Sequence, residues 1–359
     1  MSYKITINCL KFSSALLFLL FFQSGFSQTS KKNPKEVGAS EFQTLDAIIK
    51  QNQKLLGNNV VAMVWTDTLV YKTELGEFDS KTVAPIASAS KWLTAALVLR
   101  MVDQGKISLE DKVSQYIPIY DLYGKSYITI RHCLSHFTGI ETETGIKAIL
   151  NRKKFNSLEE EVESFAKKEI KANPGTEFRY SGMGLNIAGR ILEIVTKKKF
   201  DLLIKQQLFN PLGMRKTTFG TLDNSAVNPS GGAQSTAEDY MHFLQMLLNN
   251  GKYQGQEILS EAAVKEMRRI QTKLTDIKYA PQAGEGFNYA LGSWVLEAND
   301  GEASSLASPG LFGTWPVVDW CRGYASIVFV KTLLGGEQKK DLYMQMKEAI
   351  DEKLKSKCR

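Results

Sequence analysis

The sequence has few of the residues that enzymes most often use to bind metals or to abstract protons. Among its 359 residues there are four cysteines and only three histidines: His132, His136 and His242. The first two have the i, i+4 spacing of metal ligands, but the H-E-x-x-H pattern fails because no glutamate lies between them. No cysteine–histidine spacing is typical of a zinc site. We therefore predict no metal and no other cofactor, and we expect the three histidines to be structural.

A strongly charged surface and a disulfide framework are missing as well. The net charge of +7 is small for this length, and the lysines and arginines are interleaved with acidic residues, so we predict no binding of nucleic acid. Besides Cys9, which lies in the N-terminal segment, the chain has Cys133, Cys321 and Cys358, which allow at most one disulfide. The sequence leaves open whether Cys321 pairs with Cys358. Stability is therefore expected to come mainly from a packed core.

The N-terminal segment has the pattern of a secretory signal peptide. Two lysines flank the start of an apolar run from Ala15 to Phe22, and Gly25-Phe26-Ser27 places small residues where a signal peptidase cleaves. We predict a signal peptide over residues 1–27, a flexible leader over residues 28–40, and export to the periplasm or the medium of a bacterium. The alternative is a membrane anchor, but the apolar run is shorter than the roughly 20 residues that span a bilayer. We expect no stable anchor after cleavage before Gln28.

Strand patterns occur at both ends of the folded region, and helical patterns lie between them. Apolar residues at helical spacing dominate from roughly residue 106 to residue 285. We therefore predict one domain over residues 41–359, in which terminal strands share one sheet and a helical subdomain is inserted between them. The predicted strands are Val60–Trp65 and Leu69–Tyr71, which form a hairpin, and Tyr289–Glu297 and Tyr324–Lys331.

A nucleophilic serine without a histidine needs another base, and a buried lysine can supply it. The G-x-S-x-G motif of α/β-hydrolases is absent, but S-x-x-K occurs twice, at Ser88–Lys91 and at Ser164–Lys167. The second match lies in a highly charged segment, where its lysine would stay protonated. Ser88 instead precedes an almost wholly apolar helix from Trp92 onward, and burial lowers the pKa of a lysine. The first match therefore predicts a nucleophile and its base.

Ser88-Ala89-Ser90-Lys91, followed by an apolar helix, resembles the first motif of serine β-lactamases and penicillin-binding proteins. The chain is most similar to their class C branch, which also holds D-aminopeptidases and carboxylesterases. The resemblance implies an α/β fold with a central antiparallel sheet, flanking helices and an inserted all-helical subdomain. Further family-like stretches, in the expected order between residues 42 and 332, are Ile128–Ile140, Pro174–Ser181, Pro211–Met214 and Gly231–Asp239.

The resemblance also implies a division of roles within a catalytic site. Ser88 corresponds to the nucleophile, Lys91 to its activating base, and Tyr180 to a second group that handles protons. The backbone N–H groups of Ser88 and Leu311 correspond to the oxyanion hole, a type of donor worth about 3 kcal/mol of barrier. These roles describe acyl transfer to water through an acyl-enzyme.

The chain departs from the family pattern at two motifs. The second motif is usually Tyr-x-Asn, but here Gly182 replaces the asparagine, whose amide normally helps to hold a substrate amide. The third is usually Lys-Thr-Gly or His-x-Gly, but here it is Ser308-Pro309-Gly310, without a cation to attract a substrate carboxylate. We expect Ser308 and Gly310 to bind substrate, with Gly310 allowing its close approach. Three aromatic residues near this motif indicate either an apolar pocket or ordinary core packing: Phe312, Trp315 and Trp320.

These departures favour an exported hydrolase whose substrate is a small ester or amide. One alternative keeps the fold but acts on peptides or β-lactams, as a D-Ala-D-Ala carboxypeptidase or β-lactamase. Another is a binding or sensor protein that uses the same pocket without hydrolysis. In each case the expected partner is a small-molecule ester, amide or peptide.

Overall fold

The structure is a computed structural model that describes residue 38 and residues 40–142, 154–223, 225–332 and 339–358. The predicted signal peptide and most of the predicted leader lie outside the described residues, so their assignment stays a prediction. Within the described ranges, no helix is both long and apolar enough to cross a membrane.

Strands of the main sheet lie in the first and last thirds of the described chain with most helices between them, as the sequence pattern predicts, and one further helix lies at each end. The α-helices are α1 (Gln43–Gln51), α2 (Ser90–Asp103), α3 (Val113–Tyr116), α4 (Ile119–Leu122), α5 (Ile130–Leu134), α6 (Leu158–Ala166), α7 (Met183–Thr196), α8 (Phe200–Ile204), α9 (Ala237–Leu248), α10 (Glu261–Arg268) and α11 (Lys340–Asp351). The strands are β1 (Val60–Trp65), β2 (Leu69–Leu75), β3 (Ala84–Pro85), β4 (Phe178–Arg179), β5 (Gln234–Ser235), β6 (Lys252–Tyr253), β7 (Gln256–Glu257), β8 (Ile277–Tyr279), β9 (Asn288–Tyr289), β10 (Trp294–Asn299), β11 (Glu302–Ala307), β12 (Trp315–Asp319) and β13 (Tyr324–Val330).

Seven strands form one antiparallel sheet in the order β2-β1-β13-β12-β11-β10-β9. The predicted hairpin is confirmed as β1 and β2, and β13 pairs with β1 so that Val60 faces Val330. The sheet is therefore closed by both ends of the folded chain, and the predicted fold class is confirmed. The predicted strand Tyr289–Glu297 is interrupted, because residues 290–293 turn between β9 and β10.

The two faces of the sheet bury different sets of helices. Along β1 successive side chains alternate between the faces. Val60 and Val64 pack into a cluster with apolar residues of α1 and α11. Val61 and Met63 point into the larger core, which includes α2 and α9. The sheet is thus covered by terminal helices on one side and by the helical region on the other.

The helical region between residues 106 and 285 contains short strands as well as helices. β4 pairs with β8 in parallel, β6 and β7 form a small hairpin, and β5 pairs with β3, which precedes the region. Each of these pairs involves strands of only two or three residues. The pairs connect neighbouring loops by a few hydrogen bonds and do not form a second extended sheet.

Cys321 and Cys358 form a disulfide, with their Cα atoms 5.1 Å apart. The bond ties the segment after α11 to the turn between β12 and β13. Cys133 is a buried free thiol.

The tryptophans after the third motif do not form the expected apolar pocket. Trp315 is 3% exposed and stacks on Tyr343 of α11, at 4.5 Å between ring centroids, on the face covered by the terminal helices. Trp320 directly follows β12, and its backbone N–H donates to the carbonyl of Ser304 near the start of β11. It therefore lies far along the strand from Ser308, and its ring packs under the guanidinium of Arg268. For these two residues the alternative of ordinary packing therefore holds.

Candidate active site

Ser88 lies in a short 3-10 turn, Ala87–Ala89, directly before α2. Ala87 has a φ of +45°, a left-handed conformation that is strained for a residue with a side chain and that clusters at functional sites. The turn is held in place because Tyr240 donates a hydrogen bond of 2.8 Å from its hydroxyl to the carbonyl of Ala89. Ser88 itself is half-buried. The chain thus presents this serine from a rigid turn.

Lys91 follows one helical turn later and points at the serine. Its Nζ donates to Ser88 Oγ at 3.2 Å and to the carbonyl oxygen of Ser230 at 2.8 Å. The side chain is 4% exposed, so the removal from water that the apolar helix predicts is present. The predicted pair of nucleophile and base is therefore brought into hydrogen-bond contact.

Tyr180 lies on the other side of Lys91, whose Nζ is 4.8 Å from the centroid of the phenol ring. The tyrosine directly follows β4, and its backbone N–H donates to the carbonyl of Tyr279 at 3.1 Å. Its ring stacks on Trp294, with centroids 5.5 Å apart. These contacts fix the ring beside the amine, which brings the three predicted catalytic residues into one site.

His136 also belongs to this site, although sequence analysis treated it as structural. Its ring centroid is 4.6 Å from that of Tyr180, and its Nδ1 accepts a hydrogen bond from the backbone N–H of Ser181. The ring proton is therefore on Nε2, which donates to the Tyr289 hydroxyl at 3.1 Å. Burial holds the pKa of His136 well below its usual value, and Lys91 lowers that pKa further when the amine is protonated. A neutral imidazole thus positions the segment that carries Tyr180.

The third motif is joined to the nucleophile by close backbone packing. Ser308 is 4% exposed, and its hydroxyl donates to the carbonyl of Gly292 at 3.2 Å and to that of Ser88 at 3.4 Å. A Cβ on Gly310 would lie 2.2 Å from the carbonyl oxygen of Ile86. Ser308 and Gly310 therefore pack the segment after β11 against the nucleophile turn. The close approach that was expected between Gly310 and substrate is instead a contact between Gly310 and the backbone of Ile86.

Leu311 follows Gly310, the glycine that packs against the nucleophile turn. The turn after Gly310 is closed by two hydrogen bonds, from Gly310 N–H to Thr314 and from Gly313 N–H to Gly310. The N–H of Leu311 has no hydrogen-bond acceptor among the residues that the structure describes, and Leu311 is half-buried. Its N–H is thus available to a ligand next to a motif that touches Ser88.

Two further residues contribute to the site without having been predicted. Ser230 provides the carbonyl that receives Lys91, and Gly292 has a φ of +77° where a Cβ would lie 2.8 Å from the carbonyl oxygen of Lys91. Gly292 is what lets the turn between β9 and β10 press against α2. In the sequence, Gly292 is a lone glycine inside a strand pattern, and Ser230 lies in a Pro-Ser-Gly-Gly stretch. Both patterns also occur in ordinary turns, so neither indicated a functional site.

Comparison with known proteins gives matches over most of the described chain. A family model described as Beta-lactamase matches residues 45–350. Protein flp of Staphylococcus aureus (strain MW2) is 31% identical over 138 residues, 37% of this chain and only 27% of flp. Penicillin-binding protein 4 of Amycolatopsis lactamdurans is 27% identical over 264 residues, 64% of this chain and 68% of that protein. A candidate beta-lactamase from Bacteroides dorei DSM 17855 superposes with a TM-score of 0.77 and 26% identity, covering 86% of this chain and 99% of that one.

Proposed function

Because the chain belongs to the Beta-lactamase family, as its motifs indicated, we propose that it is a serine hydrolase that works through an acyl-enzyme on Ser88. The observation that carries the proposal is the contact of 3.2 Å between Lys91 Nζ and Ser88 Oγ. The lysine in this contact is buried. A serine hydroxyl is a weak nucleophile until a neighbouring base takes its proton.

The geometry supports a two-step reaction. Ser88 Oγ attacks the substrate carbonyl while its proton passes to Lys91, which accepts it as a neutral amine, the form that removal from water favours. The N–H groups of Ser88 and Leu311 stabilise the negative charge on the carbonyl oxygen. The leaving group departs with a proton delivered through Lys91 and Tyr180. Water then attacks the acyl-enzyme and gives up a proton to the same pair. The pair passes that proton to Ser88 Oγ as the ester bond breaks, which releases the acid and the free serine.

The substrate class follows from the third motif. In this chain it has no cation, and the side chain of Ser308 is buried against backbone carbonyls, so it offers nothing to a substrate carboxylate. Penicillins and D-Ala-D-Ala peptides carry that carboxylate, whereas simple esters and small amides do not. We therefore propose a small ester or amide as substrate.

This choice predicts a clear preference in a direct comparison of substrates. We expect kcat/KM for p-nitrophenyl butyrate to exceed that for the β-lactam nitrocefin by at least about a hundredfold, because an unpaired substrate charge costs several kcal/mol of binding. Rates are measured for the full-length protein, with Ser88→Ala as the blank. Faster turnover of nitrocefin, or efficient labelling by a fluorescent penicillin, would favour the carboxypeptidase or β-lactamase alternative. Saturable binding without turnover of either substrate would favour the sensor alternative.

A further inference from the structure

Tyr180 belongs to a cluster of four rings in which a second tyrosine, Tyr289, is fully enclosed. The Tyr180 ring lies 4.6 Å from that of His136 and 5.5 Å from that of Trp294, measured between centroids. Tyr289 contacts the same two rings, at 4.9 Å and 4.7 Å. Tyr289 is 1% exposed, and the sequence did not mark it as a site residue. A buried phenol therefore packs against both neighbours of the proton-handling tyrosine.

The polar link within this ring cluster is the hydrogen bond of 3.1 Å from His136 Nε2 to the Tyr289 hydroxyl. Ring contacts alone stabilise by about 0.5–1.5 kcal/mol each and allow centroid distances from roughly 4.5 to 7 Å, so they fix position loosely. The other ring nitrogen, Nδ1, accepts the backbone N–H of Ser181 at 3.3 Å. Ser181 directly follows Tyr180. The Tyr289 hydroxyl thus holds the imidazole in the tautomer and orientation that fix the backbone next to Tyr180.

Tyr289 is itself held firmly and stays neutral. Its N–H donates to Thr272 Oγ1 at 2.8 Å, and its carbonyl accepts from the N–H of Gln271 at 2.8 Å. Burial raises the pKa of Tyr289 well above its usual value, and negative charge on Tyr180 raises it further. Its hydroxyl can therefore accept from His136 whichever protonation state Tyr180 has. A fixed and neutral phenol is suited to positioning and not to proton transfer.

We propose that Tyr289, acting through His136, is a positioning residue that holds Tyr180 where it protonates the leaving group. In that step the bond from the carbonyl carbon to the leaving oxygen breaks, its electron pair goes to that oxygen, and the oxygen takes the proton of the Tyr180 hydroxyl. The phenolate regains a proton from the Lys91 ammonium, which took it from Ser88. The inference rests on the proposed acyl-enzyme function and adds a residue to it.

The test uses leaving groups that differ in their need for a proton. p-Nitrophenyl butyrate and ethyl butyrate form the same acyl-enzyme, but p-nitrophenolate leaves as a stable anion whereas ethoxide needs general-acid help. Tyr289→Phe removes the hydroxyl and keeps the ring. We expect it to lower kcat/KM for ethyl butyrate at least about tenfold more than kcat/KM for the p-nitrophenyl ester, because a displaced general acid loses much of its effect.

The matched control is Tyr120→Phe, which removes another buried phenol hydroxyl from the full-length protein. That hydroxyl donates to the carbonyl of Val162 at 3.0 Å, within the helical region. Tyr120→Phe should keep the ethyl-to-nitrophenyl ratio within about twofold of wild type, even if it lowers stability. A role of Tyr289 in packing alone would likewise lower both rates by the same factor and leave the ratio unchanged.

A double-mutant cycle tests whether Tyr289 acts through His136. His136→Asn keeps a side-chain acceptor for the Ser181 N–H but is too short to donate to Tyr289. Asparagine also tolerates the left-handed backbone at this position, where φ is +60°. The two single variants should lower the ratio by similar factors, and the double variant should lose no more than about twofold beyond either, because all three lack the same bond.

A ratio within about twofold of wild type in Tyr289→Phe would overturn the inference, as would losses that multiply in the double variant. A wild-type protein that hydrolyses the p-nitrophenyl ester but not ethyl butyrate would overturn it as well, because no leaving-group protonation would then be observed. A wild-type protein that hydrolyses neither ester would contradict the proposed function itself, and that result is visible before any residue is changed.

Discussion

Replacing Lys91 with methionine should lower kcat for p-nitrophenyl butyrate about a thousandfold, within the usual range for loss of a general base. Methionine keeps much of the volume and apolar stem of the lysine but cannot accept the Ser88 proton. The folded structure should survive, because methionine fills the same apolar space beside the carbonyl of Ser230. Steady-state kinetics with a circular-dichroism check of folding measures the effect.

The chain supplies a matched control in its second S-x-x-K sequence. Lys167 follows Ser164 with the same spacing, but Lys167 is exposed and the hydroxyl of Ser164 donates to the carbonyl of Glu161. Lys167→Met should therefore leave kcat within about twofold of the wild-type value. If the two lysine variants lost activity equally, or if Lys91→Met kept full activity, Lys91 would not be the base.

Replacing Lys347 with methionine should reduce the free energy of unfolding by about 3–5 kcal/mol, the range for breaking a buried ion pair. Lys347 of α11 is 3% exposed, and its ammonium contacts three carboxylates, those of Glu297, Asp319 and Asp351. Asp319 is fully buried. Without the lysine, Arg322 is the one cation among the described residues that still pairs with the three acids.

Urea unfolding of the wild type and of Lys347→Met gives this difference. The control is Lys353→Met, which removes an exposed lysine just beyond the same helix and should change stability by less than about 0.5 kcal/mol. A loss below about 1 kcal/mol in Lys347→Met would contradict the account, since it would mean that one arginine suffices to balance the three clustered carboxylates.

The sheet and its closure could be predicted from local patterns, but several strands could not. Val60–Trp65 and Tyr324–Val330 are rich in β-branched and aromatic residues and lie far apart in the sequence, so the pairing of chain ends followed from them. Glu302–Ala307 consists mainly of small and polar residues, and it is a strand only because neighbours on both sides supply its hydrogen bonds. The break at Gly292 depends on α2 packing against it.

In the candidate site, too, local contacts could be predicted from the sequence and long-range contacts could not. Ser88 and Lys91 are three residues apart on one turn, so their contact is dictated locally. The contact between Lys91 and Ser230 joins residues that are 139 positions apart, and no local pattern encodes it. The position of His136 is likewise non-local. Its identity was visible in the sequence, but its contact with Tyr180 is a product of the tertiary fold.

The central claim is that Ser88 forms an acyl-enzyme, and intact-mass spectrometry with a fluorophosphonate tests it most directly. We predict a single adduct on the wild-type protein, which peptide mapping places on Ser88, and no adduct on Ser88→Ala under the same conditions. An adduct that persists in Ser88→Ala, or one that maps to Ser164 or another residue, would contradict the account.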